Sequence, residues 1–187
     1  MTQRETWFDA QFDLDQDHLV FSDEMWASTN MARRFGRAPR GQRLRASVPH
    51  GHWKTTTFVA GLRLTGITAP FMLEGAVNRH AFEVYVATVL VPELQLGDVA
   101  IMDNLTRRKG ACIRKLIEAA GASLHYLPPY SPGFNAIKNA FAKLKALLRK
   151  TAARTVEALW TAIGRIVDLF DPNECAKYFK VAEYNAI

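Results

Sequence analysis

The 187-residue sequence has only two cysteines, Cys112 and Cys175, far apart and outside any metal-spacing pattern. This excludes a disulfide framework and a cysteine zinc site, and both read as reduced, buried thiols of a cytosolic protein. No run of 18 apolar residues occurs, so no transmembrane helix and no membrane partner are expected. The opening Met1-Thr-Gln-Arg-Glu-Thr-Trp7 lacks the apolar core of a signal peptide. Internal repeats, linkers and low-complexity segments are also missing. The most informative absence is local. Residues 25–73 hold eight bases and no acid, and residues 119–156 hold six bases and no acid, whereas residues 1–24 hold seven acids and one base, Arg4. A net charge of +6 placed this way points to a polyanion, double-stranded DNA being the expected partner, over ordinary surface lysines.

Hydrophobic residues make up 49% of the chain and charged residues 22%, which suits a single globular domain over 1–187 rather than a disordered chain. The expected core is about 18–150, with C-terminal helices over 151–187. His18-Leu-Val-Phe-Ser-Asp23 reads as a short strand with an acid at its end. Residues 44–50 and 53–63 read as further strands, the second carrying the β-branched Thr55-Thr-Thr-Phe-Val-Ala60. Residues 66–74 pair back on it, with Pro70 suited to an edge or a bulge. Asn78 caps a helix to about Val91, ended by Pro92. A buried strand follows, Asp98-Val-Ala-Ile-Met-Asp-Asn104, then a helix from Lys109 to Ala120 with Gly121 as its stop. Leu124–Leu127 is a short strand, and the loop 128–132 holds three prolines. Helices are expected over 135–150, with Ile137, Phe141, Leu144 and Leu148 inward, and over 155–169. Another starts at Asp171-Pro-Asn-Glu174. This order predicts an α/β fold, a mixed central sheet with helices on both faces, and fits a ribonuclease H-like architecture.

Asp23 and Asp103 each end a predicted strand. If those strands are neighbours their carboxylates meet, as phosphodiester chemistry with paired metal ions requires. Taken singly, each Asp reads as a turn or cap residue. The balance shifts with the ordered set Val20-Phe-Ser-Asp-Glu-Met-Trp26, Val48-Pro-His-Gly-His-Trp-Lys-Thr-Thr-Thr57, Ile101-Met-Asp-Asn-Leu105, Leu127-Pro-Pro-Tyr-Ser-Pro132, Asn135 and Phe141-Ala-Lys-Leu-Lys145. Over about residues 5–180 the chain resembles the mariner-like bacterial insertion-sequence transposases of the DDE superfamily. The resemblance implies a ribonuclease H-like catalytic domain that uses Mg2+ or Mn2+ to cut transposon ends and join them to target DNA. It makes Asp23 and Asp103 the first and second metal ligands.

The third ligand of that family is an acid, in a pattern like Ser-Pro-Asp-Leu-Asn-Pro-Ile-Glu. This chain reads Ser131-Pro-Gly-Phe-Asn-Ala-Ile-Lys138, with 34 residues between Asp103 and Lys138 and no acid between Glu118 and Glu157 to substitute. An ammonium repels a divalent cation. Lys138 either neutralises Asp23 and Asp103 or faces solvent, and in the first case metal binding is weak or absent. Thr106-Arg-Arg-Lys109 also departs from the small-residue-plus-histidine pattern usual after the second acid.

Arg33, Arg34, Arg37, Arg40, Arg43 and Arg45 lie in a Gly- and Pro-broken stretch that reads as a loop near the acids. There they grip phosphates or stay solvated. Lys54, Lys109 and, more weakly, Lys145 join them as candidate DNA contacts. Arg149, Lys150 and Arg154 read as a solvated helix face. His50 and His52 share one expected strand face but lack a third ligand, so they read as structural. Trp26 and Trp53 read as core. The short acidic segment before Asp23 does not look like the helix-turn-helix region of such transposases. End recognition would then fall to a separate helix-turn-helix chain or domain, with a homodimer on DNA in a bacterial nucleoid. The sequence thus predicts a transposase catalytic domain impaired at Lys138. Its competitor is a non-catalytic nucleic-acid-binding or assembly module that retains the fold.

Overall fold

Leu19–Ser28 (β1) is buried along almost its whole length, and its side chains divide between two apolar layers. Leu19, Phe21, Met25 and Ala27 enter one layer and Val20 the other, the two-residue period of a strand covered on both faces. The computed structural model describes residues 2–33, 35–45, 47, 49–105 and 108–184. Before the strand stands α1 (Gln3–Ala10), closed at its start by a capping box between Thr2 and Glu5. β2 (Thr55–Arg63) and β3 (Gly66–Glu74) follow as an antiparallel hairpin. Then come α2 (Arg79–Tyr85), a π turn over Val86–Leu90 and a last turn α3 (Val91–Glu93). β4 (Val99–Met102), α4 (Ala111–Ala119) and β5 (Ser123–Tyr126) form the parallel part. α5 (Ile137–Thr151), α6 (Val156–Val167) and α7 (Pro172–Val181) close the described chain.

The strands form one five-stranded sheet in the order β3-β2-β1-β4-β5. β1 pairs antiparallel with β2 and parallel with β4. Leu19, Phe21, Phe58 and Ile101 pack beneath α5, α6 and α7 through Ile137, Phe141, Leu144, Ile163 and Phe179. Val20, Val59 and Ala100 pack on the opposite side against Phe82, Tyr85, Ile113 and Ile117. This is the mixed sheet with helices on both faces that the pattern predicts. Among the described residues no helix is long and apolar enough to cross a membrane.

Several local expectations need correction. β1 does not end at Asp23 but runs on to Ser28, Asp23 pairing with Ala60 of β2. The described residues of 44–50 form no strand and are largely exposed: Leu44, Ala46 and Val48 alternate with polar residues in the sequence, but the five strands of the sheet all come from other segments. Pro92 does not stop its helix at once. It lacks the amide that would reach the Thr88 carbonyl, and the ladder ahead of it slips to the wider spacing, Val91 N–H donating to Val86 O. The reading of Pro70 holds: it sits in the edge strand, opposite a register shift between Val59 and Gly61, with Ala69 at φ 49°. Cys112 is exposed, and only Cys175 is buried.

The start of β4 is tied to the end of β2. Arg63 grips the buried Asp98 through both nitrogens, Nη1 3.1 Å from Oδ1 and Nη2 2.5 Å from Oδ2, and the Gln95 amide adds a bond of 2.6 Å. Burial pushes the Asp98 carboxyl up, but Arg63, Gln95 and His18 outweigh it and hold the group below its ordinary range. Its contribution to stability is therefore present above the unfolded carboxylate pKa and is lost as pH falls through the lower folded value. We predict that Arg63→Ala costs roughly 2–3 kcal/mol at neutral pH in urea unfolding, with the gap to the parent closing in acid. A gap that stays constant down to about pH 2 contradicts this account.

Candidate active site

The parallel register of β1 and β4 ends with Ser22 opposite Met102, so the next residues, Asp23 and Asp103, emerge side by side at the C-terminal end of β4. This is where open α/β sheets place their ligands. Asp23 is buried, pointing toward the α5 layer, while the Asp103 side chain is 24% exposed. Glu24 alternates to the opposite face of β1.

α5 presents the third position. Ile137, Ala140, Phe141, Leu144 and Leu148 anchor it in the core, and the turn over Pro132–Phe134 sets its approach. Lys138, in its first turn, places Nζ 2.5 Å from Asp23 Oδ2. Asn135 Nδ2 donates to the same oxygen at 3.0 Å. The solvent-facing alternative for Lys138 therefore gives way to the neutralising one, although the side chain is still 44% exposed.

A second cation, which the sequence reading leaves unassigned, reaches further. Arg108 is fully buried. Its Nη2 donates to Asp23 Oδ1 at 2.7 Å and also contacts Glu24 Oε2. Its Nη1 lies 2.6 Å from Asp103 Oδ1, off the line of its N–H bonds, so that contact is one of charge rather than a directed hydrogen bond. The guanidinium also faces the Phe82 ring, 5.4 Å from its centroid. Its backbone is held by the Tyr126 hydroxyl, 2.7 Å from the Arg108 carbonyl, and by Leu105 O. The only sequence signal was the basic run after the second acid. Of that run, Thr106 and Arg107 lie outside the described residues.

Asp23 Oδ1 accepts from Arg108 and from the Glu24 amide at 2.8 Å, and Oδ2 accepts from Asn135 and Lys138. That fills the roughly four acceptor positions of a carboxylate. Burial, with the Asp23 charge beside it, raises the Asp103 carboxyl above its usual range despite Arg108 and Lys138. Mg2+ or Mn2+ needs free oxygen ligands. Here the first acid is saturated with donors, a guanidinium bridges the two acids, and the third position is an ammonium. The residues present do not fit a divalent cation. Among the described residues no three His, Cys, Asp or Glu side chains are arranged to hold a metal ion.

A cavity of about 510 Å³ opens beside this cluster, lined by Asp103, Lys109, Tyr130, Asn135 and Lys138 among others. Arg33, Arg37, Arg40, Arg43, Arg45 and Lys54 are exposed in irregular chain, and Arg34 lies outside the described residues. Arg33 does not border the acids. It lines a separate cavity with Arg149 and Lys150, about 16 Å along α5 from Lys138. The neck of that segment is closed by bonds between Thr29 and Lys54 and by Arg154, which donates to the Thr29 and Met31 carbonyls. Arg154 is thus a structural clamp. Trp26 and Trp53 are 57% and 59% exposed rather than core, with Lys145 Nζ 5.2 Å from the Trp26 ring centre. His50 and His52 share no strand face, since both lie in exposed irregular chain.

Residues 18–160 match the family model described as DDE superfamily endonuclease. No curated protein sequence matches. Among solved structures, the Mos1 mariner paired end complex with Mn superposes with a TM-score of 0.79 at 16% identity, over 97% of this chain and 57% of that one. The Mos1 Strand Transfer Complex gives 0.73 at 14%, over 97% and 56%. The catalytic domain of Mos1 mariner transposase gives 0.72 at 14%, over 97% and 86%. At such identities the likeness is one of fold, a ribonuclease H-like fold shared with that catalytic domain. The chain spans little more than half the length of the proteins in the two complexes.

Clustered carboxylates awaiting a metal repel one another, so neutralising one stabilises the protein, whereas neutralising Asp23 here takes a charged partner from both Arg108 and Lys138. We predict that Asp23→Asn destabilises the chain by about 2 kcal/mol in chemical denaturation without added metal. An unchanged or higher stability would show that the two cations do not depend on this carboxylate.

Proposed function

This chain belongs to the DDE superfamily endonucleases, and from that premise we propose that it is a DNA-binding domain of transposase type whose strand cleavage and transfer are disabled at its own acid site. The observation that carries this reading is the pair of contacts that commit Asp23 and Asp103 to Arg108 and Lys138. In-line displacement at phosphorus needs an activated attacking oxygen and neutralisation of the leaving one. Carboxylates paired with internal cations supply neither.

The proposed partner is double-stranded DNA, held by phosphate contacts from the exposed arginines of 33–45 and from Lys54, Lys109 and Lys145. Such contacts position a duplex without reading its sequence. End recognition belongs, in this reading, to a separate helix-turn-helix chain or domain, and the domain works as a homodimer on insertion-sequence DNA in the bacterial nucleoid. The same fold and surface serve equally for an assembly role in which no strand is cut.

Two outcomes are expected. In a plasmid assay with Mg2+ or Mn2+, the chain binds DNA but gives no nicking or strand transfer above background, and robust metal-dependent nicking would sink the proposal. Replacing Arg37, Arg40 and Arg43 together by Ala weakens binding and lowers the slope of log affinity against log salt by about 2–3. An unaltered slope removes this segment from the DNA surface.

A further inference from the structure

We propose that Arg108 is the resident cation of this site, a guanidinium standing where its relatives' fold would place a divalent ion. Restoring the third acid alone then leaves the site closed to metal, and the DNA backbone approaches it with no metal present. The inference rests on reading the domain as a DDE-type DNA binder.

Three observations carry it. The first is reach. Arg108 contacts Asp23, Glu24 and Asp103 at once, whereas among the described residues Lys138 makes its ion pair with Asp23. Exchanging Lys138 for an acid therefore removes one of Asp23's partners and leaves the bridge between the two acids in place. The second is burial. Lys138 is 44% exposed and open to exchange with water, while the Arg108 side chain is fully buried, packed on Phe82 and fixed at its backbone by Tyr126. A guanidinium does not lose its proton in a protein, and its fork matches carboxylate oxygens. The third is charge. Three carboxylates at a strand tip repel a phosphodiester. Arg108 and Lys138 cancel two of those charges by direct contact, and Lys109 adds a further positive charge on the wall of the cavity that Asp103 lines. Lys138 gives Asp23 one of its three donors, and its exposed Nζ remains open to a phosphate oxygen.

The test measures Mn2+ binding by electron paramagnetic resonance on the parent chain, Lys138→Glu, and Lys138→Glu with Arg108→Gln, each checked for folding by circular dichroism. The parent and Lys138→Glu are expected to show no site-bound Mn2+ at millimolar free ion, and the double variant to bind about tenfold or more tighter. Equal binding by Lys138→Glu and the double variant overturns the proposal, as does a folded double variant that binds none. If Arg108→Gln does not fold, Arg108→Lys keeps the charge without the bridging fork. In the Lys138→Glu background it is expected to raise Mn2+ affinity, and unchanged affinity overturns the proposal. Parent DNA affinity is expected to be the same in magnesium and in chelator, and a tenfold loss on chelation counts against it. Failure to bind DNA in either condition sinks the DNA reading instead, and the Mn2+ comparison still decides the role of Arg108.

Discussion

Two carboxylates set side by side by a parallel strand pair repel each other unless positive charge lies between them, and the organisation of this protein follows from how that repulsion is met. The register of β1 and β4 leaves no choice about placement, since Asp23 and Asp103 are the next residues beyond the last paired positions. What varies is the counter-charge. Here it is covalent to the chain, drawn from a loop 85 residues from Asp23 in sequence and from the first turn of α5. A mobile ion equilibrates with solvent, whereas a tethered cation is present whenever the protein is folded. In the proposed reading the cluster thus carries its own counter-charge instead of awaiting a ligand.

The sheet explains why the cluster is well supported. β1 is the strand at which antiparallel pairing gives way to parallel, and each of its faces carries its own apolar layer. Asp23 is held from the α5 side, by Asn135 and Lys138, and Glu24 from the other, by Arg108, so the two helical layers meet electrostatically in the middle of β1, beside the end of β4. The Arg63–Asp98 pair does the same for the opposite end of β4. A four-residue strand is thus fixed in register at both ends by charge, where apolar contact over so short a length would permit slippage.

The legible parts of the sequence were those governed by local period. Ile137, Phe141, Leu144 and Leu148 foretold α5, Asn78 foretold the start of α2, and the β-branched run from Thr55 foretold β2, because each signal is written within a few residues. Asp23, Asp103 and Lys138 were singled out through the resemblance to the transposase family, and the structure brings the three together around Arg108. Arg108 was not, since nothing local marks a buried guanidinium. It looks like any base in a charged run until the fold brings Asp23 to it. Trp26 and Trp53 failed for a related reason. Aromatic residues in a strand-rich stretch usually face a core, but β4 ends at Met102, and Trp26 lies on the portion of β1 that extends past it. The expected strand at 44–50 failed because pattern alone cannot tell a short β-like run from irregular chain with no neighbour to pair with.

The closed neck of the arginine-rich segment has a consequence for how such a protein changes over time. Thr29 and Lys54 hydrogen-bond across the base, and Arg154 seals it from the α5–α6 junction, so the segment leaves the sheet and returns to it at one point. Lengthening a loop whose ends are already fixed costs only a slowly growing closure entropy, well under 1 kcal/mol for each doubling. Residues are thus free to enter or leave between Ala32 and Trp53 without disturbing β1 or β2. The fold separates an evolvable, arginine-rich arm from an inflexible scaffold, and the reach of that arm is open to drift while the strands beneath it are not.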